Sequence, residues 1–154
     1  VYLRHAYTKA TFISEADIFS PLEDGEPAME NTVHAGDQFP LVPKHQVKTG
    51  VDINPVPFLS LGLQARYIGR QWLRGDEANQ TAQLPSYTVA DMRVGVRWRA
   101  WEVGGTVTNL MNRKYASFGT YNINEGAPDG PVLERFLTPG QRRMFRLSVK
   151  RTIP

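Results

Sequence analysis

The chain has 154 residues, of which 41% are hydrophobic and 21% charged, and it contains no cysteine. No apolar run approaches the roughly 18 residues that a membrane helix needs, which excludes a helical membrane protein, and the lack of cysteine excludes disulfides and thiolate zinc sites. The net charge of +3 hides an acidic segment, Glu15–Phe39, that contains no Lys or Arg. We expect this segment to be a solvated, disordered loop. Its acids are Glu15, Asp17, Glu23, Asp24, Glu26, Glu30 and Asp37.

Alternation of apolar and polar residues predicts an all-β chain of six antiparallel, up-and-down strands. The clearest strand covers residues 58–72, where Leu59, Leu61 and Leu63 alternate with polar residues. The first predicted strand has no assigned register, because Arg4 and Lys9 fall on opposite faces. The six predicted strands are residues 1–13, 47–53, 58–72, 88–98, 103–107 and 145–149.

The predicted connections alternate between long and short. Long polar segments cover about residues 14–40, 73–85 and 117–138, and tight turns are expected at Asn54–Pro57 and around Arg99–Trp101. Long loops without secondary structure count against a compact soluble domain. Short turns on one side and long loops on the other are typical of outer-membrane barrels.

The strand at residues 58–72 also indicates which face meets lipid. If its even positions faced lipid, Arg66 and Arg70 would each cost roughly 2–4 kcal/mol near the midplane. The apolar face is therefore predicted to face lipid and the basic face the barrel interior, together with Asp91, Arg93 and Arg97. Alternation alone leaves a soluble β-sandwich open as the alternative. Aromatic residues predicted near strand ends, as in an interfacial girdle, are Trp72, Trp98, Trp101, Tyr115 and Phe118.

An open sheet of six strands has two unpaired edges, which lipid does not tolerate, so further strands are expected before Val1. Three segments then resemble the closing strands of TonB-dependent receptors: Pro85–Asp91 fits P-x-Y-x-x-x-D, Val107–Tyr115 contains N-L-x-[DN]-x-x-Y, and Pro139–Arg143 fits P-G-x-x-R. Two earlier stretches are similar to siderophore-type members, Pro40–Gln46 and Arg74–Asn79.

The resemblance implies that residues 1–154 are the C-terminal segment, about six strands, of a 22-stranded transmembrane β-barrel, whose plug domain and earlier strands lie elsewhere. It implies a receptor in the outer membrane of a Gram-negative bacterium that imports a scarce ligand, typically a ferric siderophore, with energy from TonB through the plug. Implied partners are lipid, lipopolysaccharide and the barrel assembly machinery, which reads a terminal aromatic residue. This chain departs from that pattern, since it ends in Thr152-Ile153-Pro154.

Candidate ligand contacts follow from both lines of argument. The lumen-facing charges would form a wall that guides ligand or contacts the plug, with solvated or mutually paired lumen charges as the alternative, and a cationic wall would suit an anionic ferric chelate. These residues are Arg66, Arg70, Asp91, Arg93 and Arg97. Asp76, Glu77 and Asn79 would touch ligand at the barrel mouth or, alternatively, cap their own loop. Tyr121 and Asn122, in the last long loop, would contact ligand or only decorate the surface. The acidic segment could alternatively bind cations that bridge lipopolysaccharide. Structural roles are expected for the family-motif residues Tyr87, Asp91, Asn109, Leu110, Tyr115, Pro139, Gly140 and Arg143.

Two other functions fit the sequence less well. A soluble basic β-protein that binds nucleic acid would need arginines interleaved with exposed aromatics on one face, but here the basic and apolar faces are separate. An outer-membrane enzyme would need a catalytic group near a rim, and His5, His34 and His45 have no such spacing to acids. We therefore expect no catalytic residue, no cofactor and no metal site, and no nucleic acid partner.

Overall fold

A computed structural model describes residues 1–23, 26–27, 30–128 and 130–153. Within these ranges the secondary structure consists of β-strands. No helix in the described part of the chain is long and apolar enough to cross a membrane. The strands are β1 (Tyr2–Tyr7), β2 (Ala16–Phe19), β3 (Leu22–Glu23), β4 (Glu26–Pro27), β5 (Glu30–Val33), β6 (His45–Val56), β7 (Leu59–Ile68), β8 (Tyr87–Trp98), β9 (Trp101–Thr108), β10 (Ala116–Asn124), β11 (Val132–Pro139) and β12 (Met144–Arg151).

Six strands form one antiparallel sheet in the order β1-β6-β7-β8-β9-β12. These are the six strands that alternation predicts, so the prediction of an all-β, up-and-down, antiparallel chain is confirmed. The three long connections meet at one end of this sheet, which we call the loop end. The two tight turns lie at the opposite end, which we call the turn end.

Cross-strand register sorts the side chains onto two chemically different faces, because directly paired residues project to the same side. Leu63 pairs with Val51 on one neighbour and with Met92 on the other. The apolar face, defined by its large side chains, contains Leu3, Val51, Ile53, Leu61, Leu63, Met92, Val94, Val96, Val103, Val107, Phe145, Leu147 and Val149. The polar face contains Arg4, Lys48, Asp52, Arg66, Asp91, Arg93, Arg97, Glu102, Arg146 and Lys150.

The structure also supplies the register of the first strand. Arg4 pairs with Lys48 and so belongs to the polar face. Lys9 lies beyond the end of β1, which removes the conflict between these two residues. The first strand is therefore shorter than the predicted 1–13, and it follows the same division into faces as its neighbours.

Burial is concentrated away from the sheet. Leu73 and Val33 are fully buried, and both lie in connections at the loop end. On the apolar face of the sheet, by contrast, Phe145 and Leu147 are 72% and 75% exposed. A contiguous apolar face of this kind needs a cover that the described residues do not provide.

Expressed alone in water without detergent, the chain is expected to self-associate. The exposed apolar face and the two open sheet edges both favour contact with other copies. Size-exclusion chromatography with light scattering should show polydisperse assemblies and no single monomer peak. A monodisperse monomer that melts cooperatively in water would contradict the expectation that lipid covers this face.

The first turn lies further along the chain than alternation predicts. The expected turn at Asn54–Pro57 is wrong, because β6 continues to Val56 and the chain turns at Pro57-Phe58. The register shifts between Ile53 and Val56, as in a β-bulge. A bulge leaves a residue unpaired, which accommodates a proline that has no N–H to donate. The second turn, at Arg99-Ala100, is where it is predicted.

The long connections are not structureless. The segment at 117–138 forms most of the hairpin β10–β11, in which Gly119 pairs with Leu137. The acidic segment contributes β2 and β5, where Asp17 accepts a hydrogen bond from the Thr32 hydroxyl at 2.7 Å. The prediction that these segments lack secondary structure is therefore wrong for the described residues, because local antiparallel pairing satisfies their backbone groups. Asp24 and the side chains of Glu23, Glu26 and Glu30 lie outside what the structure describes.

The aromatic residues are only partly arranged as a girdle. Trp98 and Trp101 pair across the second turn and belong to the apolar face. Arg99 lies over the Trp98 ring at 5.0 Å and Arg151 over the Trp101 ring at 5.3 Å, an arrangement suited to an interface. Three other aromatic residues lie outside the strands of the six-stranded sheet, in the loop-end connections: Trp72, Tyr115 and Phe118.

Candidate ligand-binding site at the loop end

Asn109 connects several segments at the point where β9 ends. Its backbone adopts φ 49°, a left-handed conformation that asparagine tolerates better than most residues. The Asn109 backbone N–H donates to Asp91 Oδ1 at 2.8 Å. The side-chain amide donates to the Arg113 and Gln141 carbonyls, both at 2.9 Å, and accepts from the Arg113 N–H at 2.9 Å. A single buried amide therefore holds the start of the final connection against the approach to β12.

The rest of the family motif lies around this amide. The Leu110 N–H donates to the Ala90 carbonyl at 2.7 Å, and Asn112 Oδ1 accepts from the Arg143 N–H at 3.2 Å. The Tyr87 and Tyr115 rings stack with centroids 4.2 Å apart. Three motifs that are far apart in sequence thus meet in one cluster.

Gly140 lies beside this tyrosine stack, directly after Pro139, the last residue of β11. Its N–H donates to the Tyr115 carbonyl at 2.7 Å. A Cβ at position 140 would overlap the Tyr115 ring. Any larger residue would therefore have to displace the ring, which explains the requirement for glycine at this position.

Asp76 is fully buried and stabilises its own loop. Asp76 Oδ1 accepts from the Gln80 N–H at 2.7 Å, and Oδ2 accepts from the Thr81 N–H at 3.1 Å and the Thr81 hydroxyl at 2.6 Å. With no exposed surface and both oxygens occupied, this carboxylate has the geometry of the loop-capping alternative. Contact with a ligand would require the loop to open.

Asn79 ties the second long connection to the first. Its backbone has φ 59°, and its side chain accepts from the Gln38 N–H at 2.7 Å and donates to the Gln38 carbonyl at 3.0 Å. This two-way pairing resembles the hydrogen bonds between two β-strands and joins the two connections.

Glu77 differs, because only one of its carboxylate oxygens has a hydrogen-bond partner. Oε1 accepts from the Gly75 N–H at 3.0 Å, whereas Oε2 is buried without a partner.

A cleft opens where the three long connections converge. Three of the sequence-predicted ligand residues line it together, namely Glu77, Tyr121 and Asn122. Tyr121 and Asn122 belong to strand β10 and not, as predicted, to an irregular loop. The remaining lining residues are Phe19, Pro21, Arg74, Gly75, Phe118 and Thr120.

Backbone hydrogen bonds fix the base of this loop-end cleft. The Arg74 N–H donates to the Gly119 carbonyl at 3.1 Å, and the Tyr121 N–H donates to the Arg74 carbonyl at 2.8 Å. Gly75 has φ +86°, and a Cβ there would lie 2.6 Å from the Tyr121 carbonyl oxygen. The Ser20 hydroxyl donates to the Gly75 carbonyl at 2.9 Å and so ties in the first connection. The cleft is thus built from pre-positioned backbone, and the residues that line it include one arginine, one glutamate and three aromatic residues.

The two predicted lumen arginines lie apart from this cleft. Arg66 is on the polar face of β7, opposite Lys48 and Val89. Arg70 lies beyond the end of β7, which contradicts its predicted place in the strand; it is exposed and belongs to the second connection. The last hydrogen bond between β7 and β6 runs from the Gly69 N–H to the carbonyl of His45, the first residue of β6, at 2.9 Å, after which the chain leaves the sheet.

Sequence reasoning missed several cleft residues. Phe19 and Thr120 stand in segments whose polar composition predicts long loops, and Phe118 is predicted only as an interfacial aromatic residue. Pairing between distant segments brings the three together. Arg74 carried a weak signal, as part of the family-like stretch Arg74–Asn79. The structure shows no cluster of metal-ligating side chains among the described residues.

Comparison with known proteins identifies the class. Residues 2–110 match the family described as "TonB dependent receptor-like, beta-barrel", which is most of the chain, and the chain belongs to this family. Members are outer-membrane proteins of Gram-negative bacteria that act as transporters. This membership decides between the two fold classes that alternation left open, in favour of barrel strands. A sequence comparison with curated proteins gives no match.

Solved structures of siderophore receptors have the same fold. The siderophore receptor PiuA from Acinetobacter baumannii is 21% identical with a TM-score of 0.60, over 76% of this chain and 15% of that one. The ferric-catecholate import receptor Fiu from E. coli K12, in its closed form, is 27% identical with a TM-score of 0.58, over 74% and 15%. The ferric yersiniabactin uptake receptor FyuA from Yersinia pestis is 19% identical with a TM-score of 0.59, over 77% and 18%. The chain therefore spans less than a fifth of the length of these receptors.

Proposed function

We propose that this chain forms part of the barrel and of the outer ligand-binding surface of a receptor that imports a ferric siderophore with energy supplied by TonB. The observation that carries the proposal is the loop-end cleft, in which Arg74 and Glu77 of the second long connection meet Tyr121 of the third. Aromatic residues and a cation suit an anionic ferric chelate, because aromatic side chains supply contact area and the guanidinium supplies charge. The three siderophore receptors of like fold support this choice of ligand class.

The proposal places the sheet in a 22-stranded barrel in the outer membrane, with the loop end outside the cell and the apolar face toward lipid and lipopolysaccharide. Further strands would pair with the open edges of β1 and β12, and the closing-strand motifs support a place for these residues in the C-terminal part of the barrel. TonB would act through a plug domain carried by the rest of the receptor, and the barrel assembly machinery would insert it. None of these steps requires catalysis or a resident cofactor in this chain.

The cleft is tested by neutralising its cation. In the complete receptor, Arg74→Gln is expected to raise the Kd for a bound ferric siderophore about fivefold to tenfold, because one charge-assisted contact is lost while the Arg74 backbone bonds remain. Binding would be measured by fluorescence quenching with ferric catecholate, hydroxamate and carboxylate probes, and uptake by growth under iron limitation.

Arg135→Gln is the matched control. Arg135 is an exposed arginine that pairs with Tyr121 in the same hairpin but does not line the cleft. It should leave binding and growth unchanged. Equal Kd values for both variants would remove the cleft from the binding site, and a receptor that binds none of the three ferric probes would overturn the ligand class itself.

A further inference from the structure

Three basic side chains stand directly opposite one another on the polar face. Arg4 of β1 pairs with Lys48 of β6, and Lys48 pairs with Arg66 of β7. We call these three residues the cationic row. Like charges directly opposite in a sheet are destabilising, so an arrangement of three needs a compensating negative charge.

The acids on the polar face near the row have partners other than the row. Asp52 forms an ion pair with Arg93, whose Nη2 lies 3.0 Å from Asp52 Oδ1. Asp91 Oδ1 accepts the Asn109 backbone N–H at 2.8 Å. Among the described residues, no carboxylate forms an ion pair with a member of the row. The described residues therefore supply no ion-pair partner for the row, and an anion from outside them would be attracted to it.

Arg66 shows most directly that an acceptor is absent. Its Nε atom is buried and has no hydrogen-bond partner. A buried guanidinium N–H without an acceptor carries a desolvation cost that an oxyanion would remove. This unpaired N–H donor belongs to Arg66, the last residue of the cationic row. The row therefore combines positive charge with a hydrogen-bond donor that lacks an acceptor.

We propose that the cationic row binds a small, soluble, multivalent oxyanion, such as a tricarboxylate or a polyphosphate. Neighbouring strands lie about 4.8 Å apart, so the three cations span roughly 10 Å, a distance that two or three linked oxyanion groups can match. The site is separate from the loop-end cleft. It rests on the proposed function only in that the polar face must border an aqueous barrel interior.

The cationic row is tested with citrate in the complete, iron-free receptor in detergent. Acetate serves as the monovalent comparison. Citrate should raise the Tm of the wild-type receptor and bind by calorimetry with an affinity that falls as salt is added. Lys48→Gln should weaken citrate binding at least tenfold, because it removes the central cation. Acetate at the same carboxylate concentration should bind far more weakly to both.

Lys150→Gln is the matched control, since Lys150 is on the polar face but opposite Glu102. This variant should bind citrate as the wild type does. Without citrate, Lys48→Gln should be at least as stable as the wild type, because removal of Lys48 relieves repulsion from both arginines.

Three results would overturn the proposal: equal citrate affinity in wild type and Lys48→Gln, equal binding of acetate and citrate, or a fall in Tm of Lys48→Gln without citrate. The last would mean that a fixed carboxylate of the receptor already neutralises the row. None of these results depends on Arg74, so failure here and failure of the siderophore cleft are distinguishable.

Discussion

Replacing Asn109 with alanine is expected to lower the free energy of unfolding of the complete receptor by about 3–5 kcal/mol. The side chain makes three hydrogen bonds at a position that is 3% exposed, and its loss leaves the Arg113 N–H and the Arg113 and Gln141 carbonyls without partners. Each of these part-buried groups left unpaired costs about 1 kcal/mol, near the lower limit for buried groups. Alanine is also disfavoured at φ 49° by about 1 kcal/mol. Denaturant unfolding of the receptor in detergent measures the total decrease in the free energy of unfolding.

Two further variants separate these contributions. Asn109→Gly keeps the left-handed backbone accessible and should recover about 1 kcal/mol of the loss. Asn112→Ala tests a less buried left-handed asparagine, at φ 50°, whose side chain makes one backbone hydrogen bond, and should cost only about 1 kcal/mol. If the free energy of unfolding of Asn109→Ala were within 1 kcal/mol of the wild-type value, the Asn109 amide would not be the central connection of the motif cluster.

The sheet could be predicted from the sequence because alternation is a local property. Leu59, Leu61 and Leu63 show the period directly, and register follows once one face must be apolar. The end of a strand depends on non-local contacts, and alternation does not show it. The predicted strand at 58–72 runs four residues past Ile68, because the hydrogen bond from Gly69 to His45 is made with another strand.

The structure of the loops, in contrast to that of the sheet, could not be predicted from the sequence. Polar composition indicates a surface segment, but it does not show whether two such segments pair with each other. Tyr121 pairs with Arg135 within the hairpin, and Thr120 forms a bridge with Arg74 from a different connection. The cleft therefore depends on contacts across about fifty residues of sequence. The candidate list from sequence contained Glu77, Tyr121 and Asn122 of the lining, and it omitted the aromatic rings around them.

The family motifs are an intermediate case between the predictable sheet and the unpredictable loops. Their spacing was visible in the sequence, but their physical reason was not: Asp91 holds the Asn109 backbone, and Gly140 leaves room for the Tyr115 ring. The structure shows that these are features of one cluster at the base of the loops. That cluster fixes where the final connection leaves the sheet and so helps to position the cleft above it.

Placing an arginine at Leu63 is expected to cost about 2–4 kcal/mol and to reduce the amount of assembled receptor in the outer membrane. Leu63 is at the middle of β7, pairs with Val51 and Met92 on the apolar face, and is 47% exposed in the chain alone. If lipid covers this face, Leu63→Arg puts a charge near the bilayer midplane, where the cost is greatest. Folded receptor would be measured by heat-modifiable electrophoresis of membranes and by denaturant unfolding.

The adjacent residue provides the control, because successive residues of a strand face opposite sides. Gln64 is on the polar face opposite Asp91, and its side chain accepts the Tyr2 hydroxyl at 2.9 Å. Gln64→Arg loses that hydrogen bond, which costs about 1 kcal/mol, but the new charge lies beside a carboxylate in an aqueous interior. It should therefore assemble at close to the wild-type level. If the two arginine variants behaved alike, the apolar face would not be in contact with lipid, whereas a severe defect at Leu63 alone would establish the orientation of the whole sheet, because its register links every strand to β7.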